Sequence, residues 1–258
     1  MRTLYLLSLS ALLAPGLSAQ QDRNEFDWRR ALAAGKSIEI IGVNGAIFAE
    51  GTSGREVEVR ATKRARRSDL GSVTFQIIEH ANGVTICAMY PSEGRRENEC
   101  LEGGKGHMNV RDNDVEVEWT VRVPAGVELS ARTVNGRVEA QGLTAPAEAR
   151  TVNGSIMIET TSWADASTVN GSITARMGRA DWDGSMDFNT VNGGITVYLP
   201  SSASFEVRAS NVNGGMSTDF PLTIQGRWGP HRMTGTVGGG GRQLSLSTVN
   251  GSLDLRKN

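Results

Sequence analysis

The chain has 258 residues, with 27 Lys and Arg against 28 Asp and Glu, so its net charge at pH 7 is −1. This balance excludes a strong general attraction to nucleic acid or to a charged membrane surface. Aromatic residues make up only 5% of the chain and 31 residues are Gly. This composition favours narrow, turn-rich β structure over a large aromatic core.

The first 19 residues have the pattern of a secretory signal. Arg2 gives a positive start, an apolar run covers residues 4–13, and the small residue Ala19 precedes a polar stretch. The run is too short to span a bilayer, and we expect no membrane-spanning segment after it. A buried N-terminal helix is the alternative. We predict cleavage after Ala19 and a mature protein in the periplasm or on the cell surface.

Residues 24–34 predict the one clear α-helix. Asn24 can cap its first turn, Gly35 can end it, and Trp28 and Leu32 lie four residues apart on one face. A single amphipathic helix ahead of a repeat array suggests a short cap over the open end of the core.

After Gly35, apolar and polar residues alternate, as in strands that bury one face. The longest such strand covers residues 115–123. Cys87 and Cys100 flank a loop rich in turn and charged residues, and two cysteines in an exported chain most simply form one disulfide. A metal pair is the alternative, but none of the three His lies at ligand spacing from a cysteine.

A basic run precedes the first cysteine. It consists of Arg60, Lys63, Arg64, Arg66 and Arg67. Runs of this kind are usually solvated surface. The functional alternative is contact with an anionic polymer of the cell envelope.

The tetrapeptide T-V-N-G occurs five times, and two further copies differ only in the first residue. A period of about 20 residues is typical of stacked repeats. The repeated corner residues are Asn44, Gly45, Asn135, Gly136, Asn153, Gly154, Asn170, Gly171, Asn192, Gly193, Asn213, Gly214, Asn250 and Gly251.

Each residue type of the repeat has a physical role. Asn and Gly tolerate positive φ and can turn the chain, while Val suits an inward strand position. Asn side chains stacked at about 4.8 Å can bond as a ladder. Asn-Gly is also a hairpin signal, so an antiparallel meander or barrel is the alternative. The sameness of the corners favours an all-β solenoid, because a hairpin does not require identical residues.

Signatures of catalysis and cofactor binding are missing from the sequence. It contains no G-x-S-x-G, phosphate loop or zinc motif. Asp181, Asp183 and Asp187 surround a Gly and are weak candidates for calcium ligands, although turn residues need no metal. We therefore predict no catalytic residue and no cofactor.

Several segments together resemble a bacterial family. They are GVNG, the stretch from ICAMYP to NEC, the TVNGSI units and the final LSLSTVNGSLDLR. The family comprises exported β-strand-repeat proteins of unknown function, related to the auto-transporter adhesin head domain. The resemblance implies a right-handed, single-stranded β-helix and an adhesin-like role. It implies no catalytic residues.

The sequence thus predicts three parts: a signal peptide over residues 1–19, a capping helix and disulfide-bearing β region over 20–125, and a solenoid over 126–258. The predicted function is non-enzymatic binding or scaffolding in the bacterial cell envelope, with an envelope component or a protein as partner. The alternative is a carbohydrate-active β-helix enzyme of the polysaccharide lyase or hydrolase type.

Overall fold

Twenty-one β-strands form most of the regular structure in the computed structural model, which describes residues 24–92, 96–225 and 231–258. The predicted signal peptide lies outside these residues. In chain order the strands are β1 (Glu25–Ala31), β2 (Ser37–Ile41), β3 (Ile47–Thr52), β4 (Glu56–Arg64), β5 (Thr74–His80), β6 (Gly83–Met89), β7 (Glu116–Pro124), β8 (Glu128–Arg132), β9 (Val138–Leu143), β10 (Ala147–Arg150), β11 (Ile156–Thr160), β12 (Ala164–Ser167), β13 (Ile173–Met177), β14 (Ser185–Asn189), β15 (Ile195–Leu199), β16 (Phe205–Asn213), β17 (Met216–Thr218), β18 (Thr223–Gln225), β19 (His231–Val237), β20 (Gln243–Asn250) and β21 (Leu253–Lys257). Two short 3₁₀ turns lie at Leu70–Ser72 and Glu102–Gly104.

The strands build two large mixed sheets. The first sheet has the order β1-β4-β7-β3-β9-β11-β13-β15-β21-β17, and the second has the order β18-β19-β16-β20-β14-β12-β10-β8-β2-β6-β5. The middle strands are parallel, and antiparallel strands lie toward the ends. The fold is therefore all-β and solenoid-like, which confirms the predicted fold class.

Each coil contributes one strand to each sheet, with the T-V-N-G corner between them. In the coil of β10 and β11, Ala147 and Ala149 point inward from the second sheet, and Ile156 and Ile158 point inward from the first. Small residues on one side therefore face large ones on the other across a thin interior. Coils stack in register, so that Ile156 lies beside Ile173 of the next coil.

The corner Asn residues form a ladder along one edge. Successive backbone bridges join Asn44, Asn135, Asn153, Asn170, Asn192 and Asn250. Each Nδ2 donates to Oδ1 of the preceding Asn at 2.8–2.9 Å, and Asn213 extends the ladder from Asn250. A row of this kind is the arrangement expected of stacked coils and not of successive hairpins.

The predicted inward position of Val is wrong. In the coil at 168–171, Thr168 is 4% exposed and Val169 is 39% exposed. The Thr168 hydroxyl donates to the carbonyl of Gly154 in the preceding coil at 2.9 Å. Gly154 is half-buried at the corner. An inward Thr hydroxyl therefore supplies its carbonyl with a hydrogen bond that an inward Val could not donate. Where Asn211 replaces Thr, its Nδ2 bonds the carbonyl of Gly251 in the same way.

Positive φ is not the general reason for Gly at the corners. Gly45 and Gly214 have φ of 122° and 130°, but Gly171 does not have positive φ. A Cβ placed on Gly171 would lie 2.0 Å from the carbonyl oxygen of Gly154. Close approach of the neighbouring coil therefore excludes a side chain there.

The predicted N-terminal helix is also wrong: its residues form β1, and the described residues contain no α-helix. β1 pairs with β4 over seven residues. Phe26 is buried and stacks on Phe75 with ring centroids 4.4 Å apart. Pairing covers the backbone of β4, which would otherwise be a sheet edge. This gain outweighs the helical spacing of Trp28 and Leu32.

Stacking order departs from chain order at the last coil. Strands β20 and β21 lie between β14 and β16 in the second sheet and between β15 and β17 in the first. Consequently Asn250, not Asn213, follows Asn192 in the ladder. The segment between the last two repeats includes β19, which pairs antiparallel with β16.

Candidate functional site

A groove with a volume of about 520 Å³ crosses the outer face of the second sheet. Strands β2, β8 and β10 form its floor, and Trp163 and Pro146 line it as well. The 3₁₀ turn at Glu102–Gly104 and His80 lie at one end. We refer to this feature as the groove.

Two rows of side chains run along the groove because the parallel strands are in register. The first row contains Glu39, Ser130, Glu148 and Asp165, each beside the next across a strand pair. The second row lies two residues later in each strand and contains Arg132 beside Arg150. Side chains two residues apart on a strand share one face, so both rows point outward.

The two rows hold each other through a continuous series of ion pairs. Arg132 Nε lies 3.1 Å from Glu39 Oε1, and Arg132 Nη2 lies 2.8 Å from Glu148 Oε1. Arg150 pairs with the same Glu148 oxygen and lies 3.6 Å from Asp165 Oδ1. Because each guanidinium bridges two carboxylates, the side chains have fixed orientations before any ligand arrives.

Glu39 is held by hydrogen bonds at the end of the groove that also contains the 3₁₀ turn. It is 4% exposed and accepts bonds from the Thr85 hydroxyl and the Gly103 N–H, both at 2.8 Å. His80 Nε2 lies 3.2 Å from Thr85 Oγ1, and its Nδ1 lies 3.0 Å from Glu102 Oε2 without the alignment of a hydrogen bond. Thr85, His80 and Glu102 follow one another as a hydroxyl, an imidazole and a carboxylate. However, Thr85 is fully buried, so its hydroxyl cannot act as a nucleophile on a substrate.

The groove is acidic on balance. Its carboxylates are Glu39, Glu102, Glu128, Glu148 and Asp165, and its cationic side chains are Lys105, Arg132 and Arg150. Five negative charges against three positive ones leave an excess of two when His80 is neutral. Burial raises the pKa of Asp165, although the Asp187 N–H and Arg150 act in the opposite direction. The field therefore disfavours anionic ligands and favours neutral or cationic ones.

The structure does not gather the basic run on one surface. Lys63 is 8% exposed, and its Nζ donates to the carbonyls of Leu70 and Val73 at 2.9 Å. Burial lowers the Lys63 pKa, with Asp69 opposing. Arg60 pairs with Asp27 at 3.3 Å.

The remaining arginines of the run lie near carboxylates. Arg64, Arg66 and Arg67 line a depression that also contains Asp112, Asp114 and Glu116. These acidic groups offset the positive charge of the run, so the depression is not a purely basic surface.

Asp114 organises this loop. Its carboxylate accepts the N–H groups of Ser68, Arg66 and Arg67 at 2.8–3.2 Å. These bonds, those of Ser68 first, lower the Asp114 pKa to about 2 from the ordinary 3.8. A carboxylate with a depressed folded pKa adds stability above its unfolded pKa. We expect that contribution to disappear as the pH falls from 3.8 to about 2.

An NMR titration of the Asp114 carboxyl should report this value directly. In the wild type, the denaturant midpoint of unfolding should fall with pH partly because Asp114 becomes protonated. The Asp114→Asn variant should lack this part of the decrease. Asp112→Asn, two residues away, is the matched control and should keep it. A titration of Asp114 in the ordinary range would contradict the prediction.

The calcium candidates do not converge. Asp181 pairs with Arg179 at 3.1 Å, and Asp187 lies on β14 with Ser185 Oγ 3.5 Å away. Throughout the part of the chain that the structure describes, no three His, Cys, Asp or Glu side chains are placed to share a metal ion. The described residues therefore give no support to calcium binding at Asp181, Asp183 and Asp187.

Cys87 and Cys100 form a disulfide with Cα atoms 6.1 Å apart. Glu99 and His107 form an antiparallel bridge, and residues 99–108 fold beside the first corner. There Val43 is 8% exposed, whereas the equivalent Val134 is 37% exposed. Residues 99–108 thus cover the first position in an otherwise exposed row of Val side chains.

Sequence reasoning missed the groove residues, although the repeats contain their signal. Ser130, Glu148, Asp165 and Asp187 each stand three positions before the Thr of a T-V-N-G unit. Arg132 and Arg150 stand one position before it. Aligning the units on their corners, and then reading the outward positions, would have placed these charges in two rows.

A sequence model of a known family matches residues 71–256. The chain belongs to the Toastrack DUF4097 family. This agrees with the resemblance to a β-strand-repeat family of unknown function. No match was found among curated proteins.

Several solved structures resemble the chain at low identity. A candidate cell adhesion protein from Clostridium sporogenes is 10% identical, with a TM-score of 0.48 over 91% of this chain and 100% of that one. A candidate adhesin from Bacteroides fragilis is 10% identical, with a TM-score of 0.32 over 92% and 98%. A candidate lipid binding protein from Parabacteroides distasonis is 13% identical, with a TM-score of 0.28 over 90% and 96%. At scores of this size the function has to be argued from the surface of this chain itself.

Proposed function

We propose that the protein is an exported, non-enzymatic β-solenoid that binds a glycan of the bacterial cell envelope in the groove, in the manner of an adhesin. The observation that supports this most is the pair of charged rows that repeat from coil to coil and orient each other. Ligands made of repeating units are matched by a surface that repeats, and rigid side chains lose little entropy on binding.

The groove chemistry indicates the class of glycan. Trp163 is half-buried and lines the wall with its aromatic side chain. Carboxylates and guanidinium groups provide hydrogen-bond acceptors and donors along the floor. Because the charge excess is negative, a neutral or amino-bearing sugar polymer fits better than an anionic one.

No helix in the described residues is long and apolar enough to cross a membrane.

We also propose that the coils wind right-handed as a single-stranded β-helix. Each coil connects two neighbouring parallel strands of one sheet through a strand of the other, and such crossovers are right-handed in nearly all proteins. The signal peptide over 1–19, the disulfide-bearing region over 20–125 and the repeat region over 126–258 remain part of the proposal.

A second function has one observation in its favour. Glu148 and Asp165 are neighbours in the groove, and burial raises the pKa of Asp165. A pair of carboxyl groups that flank the scissile bond is the requirement of glycoside hydrolysis. However, Arg150 pairs with both carboxylates, which favours a fixed binding surface over acid–base exchange.

Calorimetric titration with chitosan, neutral chito-oligosaccharide and polygalacturonate tests the proposal. We expect binding of chitosan or the neutral oligomer and none of polygalacturonate. Trp163→Ala and Glu148→Gln should weaken binding about tenfold or more. Arg137→Ala removes an exposed ion pair with Glu139 on the other sheet and should bind as the wild type does.

Two results would change the conclusion. Equal affinity of all four proteins, or no binding of any probe, would remove the groove as the glycan site. Release of new sugar ends that stops in Glu148→Gln would replace binding with the enzymatic alternative.

A further inference from the structure

The coil formed by β20 and β21, residues 243–257, is wedged between two coils that precede it in sequence. In the second sheet Leu244 lies beside Met186 on one side and Val207 on the other. In the first sheet Leu253 lies beside Ile195 and Met216. We refer to this segment as the inserted coil.

The inserted coil joins the β16–β17 coil to the rest of the solenoid. Among the described residues, β17 pairs only with β21, and β16 pairs with β20 and with the antiparallel β19. Without residues 243–257, β14 and β15 would therefore present unpaired parallel edges, and so would the β16–β17 coil. Open edges of this kind are templates for another strand of matching pattern.

The corner of the inserted coil matches the corners on both sides of the gap. A Cβ added to Gly251 would lie 1.9 Å from the carbonyl oxygen of Gly193, so this corner requires Gly. Asn250 bonds to Asn192 on one side and to Asn213 on the other. The same contacts form whether residues 243–257 come from this chain or from a second copy. Exchange of an identical element keeps the contacts and changes only the connection, which makes it a low-cost route to association.

The connections permit such an exchange. β19 stays with its own copy because it pairs with β16 over seven residues. The inserted coil follows β19 after residues 238–242, of which four are Gly. A short hinge of this kind favours exchange of the element that follows it, because the hinge can straighten between two copies.

We propose that the inserted coil is exchangeable, so that residues 243–257 of one copy fill the gap between β14–β15 and β16–β17 of a second copy. The association joins copies through their repeat regions and leaves the groove open. The proposal is independent of what the groove binds.

A pair of engineered cysteines reports on the source of the coil. Asp187 and Ser245 are neighbours across β14 and β20, at the spacing of parallel strands, about 4.8 Å, which a disulfide can bridge. We would refold Asp187→Cys/Ser245→Cys from denaturant with the native disulfide intact, over a range of protein concentrations, and then oxidise it. Exchange predicts cross-linked dimers whose fraction rises roughly tenfold for a tenfold higher concentration while they are the minor species.

Thr174→Cys/Thr196→Cys is the matched control, because these residues are neighbours across β13 and β15, outside the inserted coil. It should cross-link within one chain only. Cross-linked dimers from both cysteine variants, or from neither of them, would overturn the proposal. If a variant does not fold, two differently tagged wild-type copies refolded together should co-purify, whereas folded copies mixed afterwards should not. Failure to co-purify after joint refolding would also overturn it.

Discussion

We expect Gly171→Ala to lower the free energy of unfolding by about 3 kcal/mol. The new Cβ would lie 2.0 Å from the carbonyl oxygen and 2.4 Å from the carbonyl carbon of Gly154. Both atoms belong to backbone that is fixed by bonds from Gly154 N to Asn170 O and from Gly171 N to Asn192 O. Backbone atoms cannot relieve the clash by a change of rotamer, as a side chain can. The coils must therefore separate locally and strain the Asn ladder.

Urea unfolding of the wild type and the variant measures this loss. Gly215→Ala is the matched control, because Gly215 directly follows a corner and a Cβ there meets nothing within 4 Å. The control should stay within about 0.5 kcal/mol of the wild type. Equal and small losses in both variants would show that the coils can move apart at little cost.

Reduction of the Cys87–Cys100 disulfide should lower the free energy of unfolding by about 3 kcal/mol in the chain-entropy model. For a chain of this size, a loss of that magnitude corresponds to a melting temperature roughly 6–12 °C lower. The bond closes a loop with a sequence separation of 13, and it holds the loop that covers Val43 at the first corner.

Thermal unfolding with and without reductant measures the effect, together with a thiol assay on the native protein. The double variant Cys87→Ala/Cys100→Ala is the control, and its melting temperature should not respond to reductant. Two titratable thiols in the native protein, or an unchanged melting temperature on reduction, would contradict the prediction.

The groove shows how far a sequence can lead toward a site. The charges at Glu148 and Asp165 are visible in the repeats, but they become a site only when coils stack in register. Glu39 lies more than 90 residues before Arg132 and still pairs with it. In the basic run the local pattern misled, because Lys63 follows the strand alternation inward and bonds to buried carbonyls.

The sequence by itself determined the repeating architecture. Regular spacing of T-V-N-G and alternation of apolar residues are local properties, and they specify strands, corners and a stacked Asn row without knowledge of distant contacts. The pairing of Cys87 with Cys100 also followed, because the chain contains only two cysteines.

Tertiary structure alone decided three features. Residues 25–31 form a strand because β4 offers a backbone partner. Val169 points outward because the Thr168 hydroxyl bonds to a carbonyl of the preceding coil. Residues 243–257 lie between earlier coils. In each case the local pattern was compatible with two outcomes. Long-range pairing of backbone groups selected one of them, because buried N–H and C=O groups must find partners wherever the chain provides them.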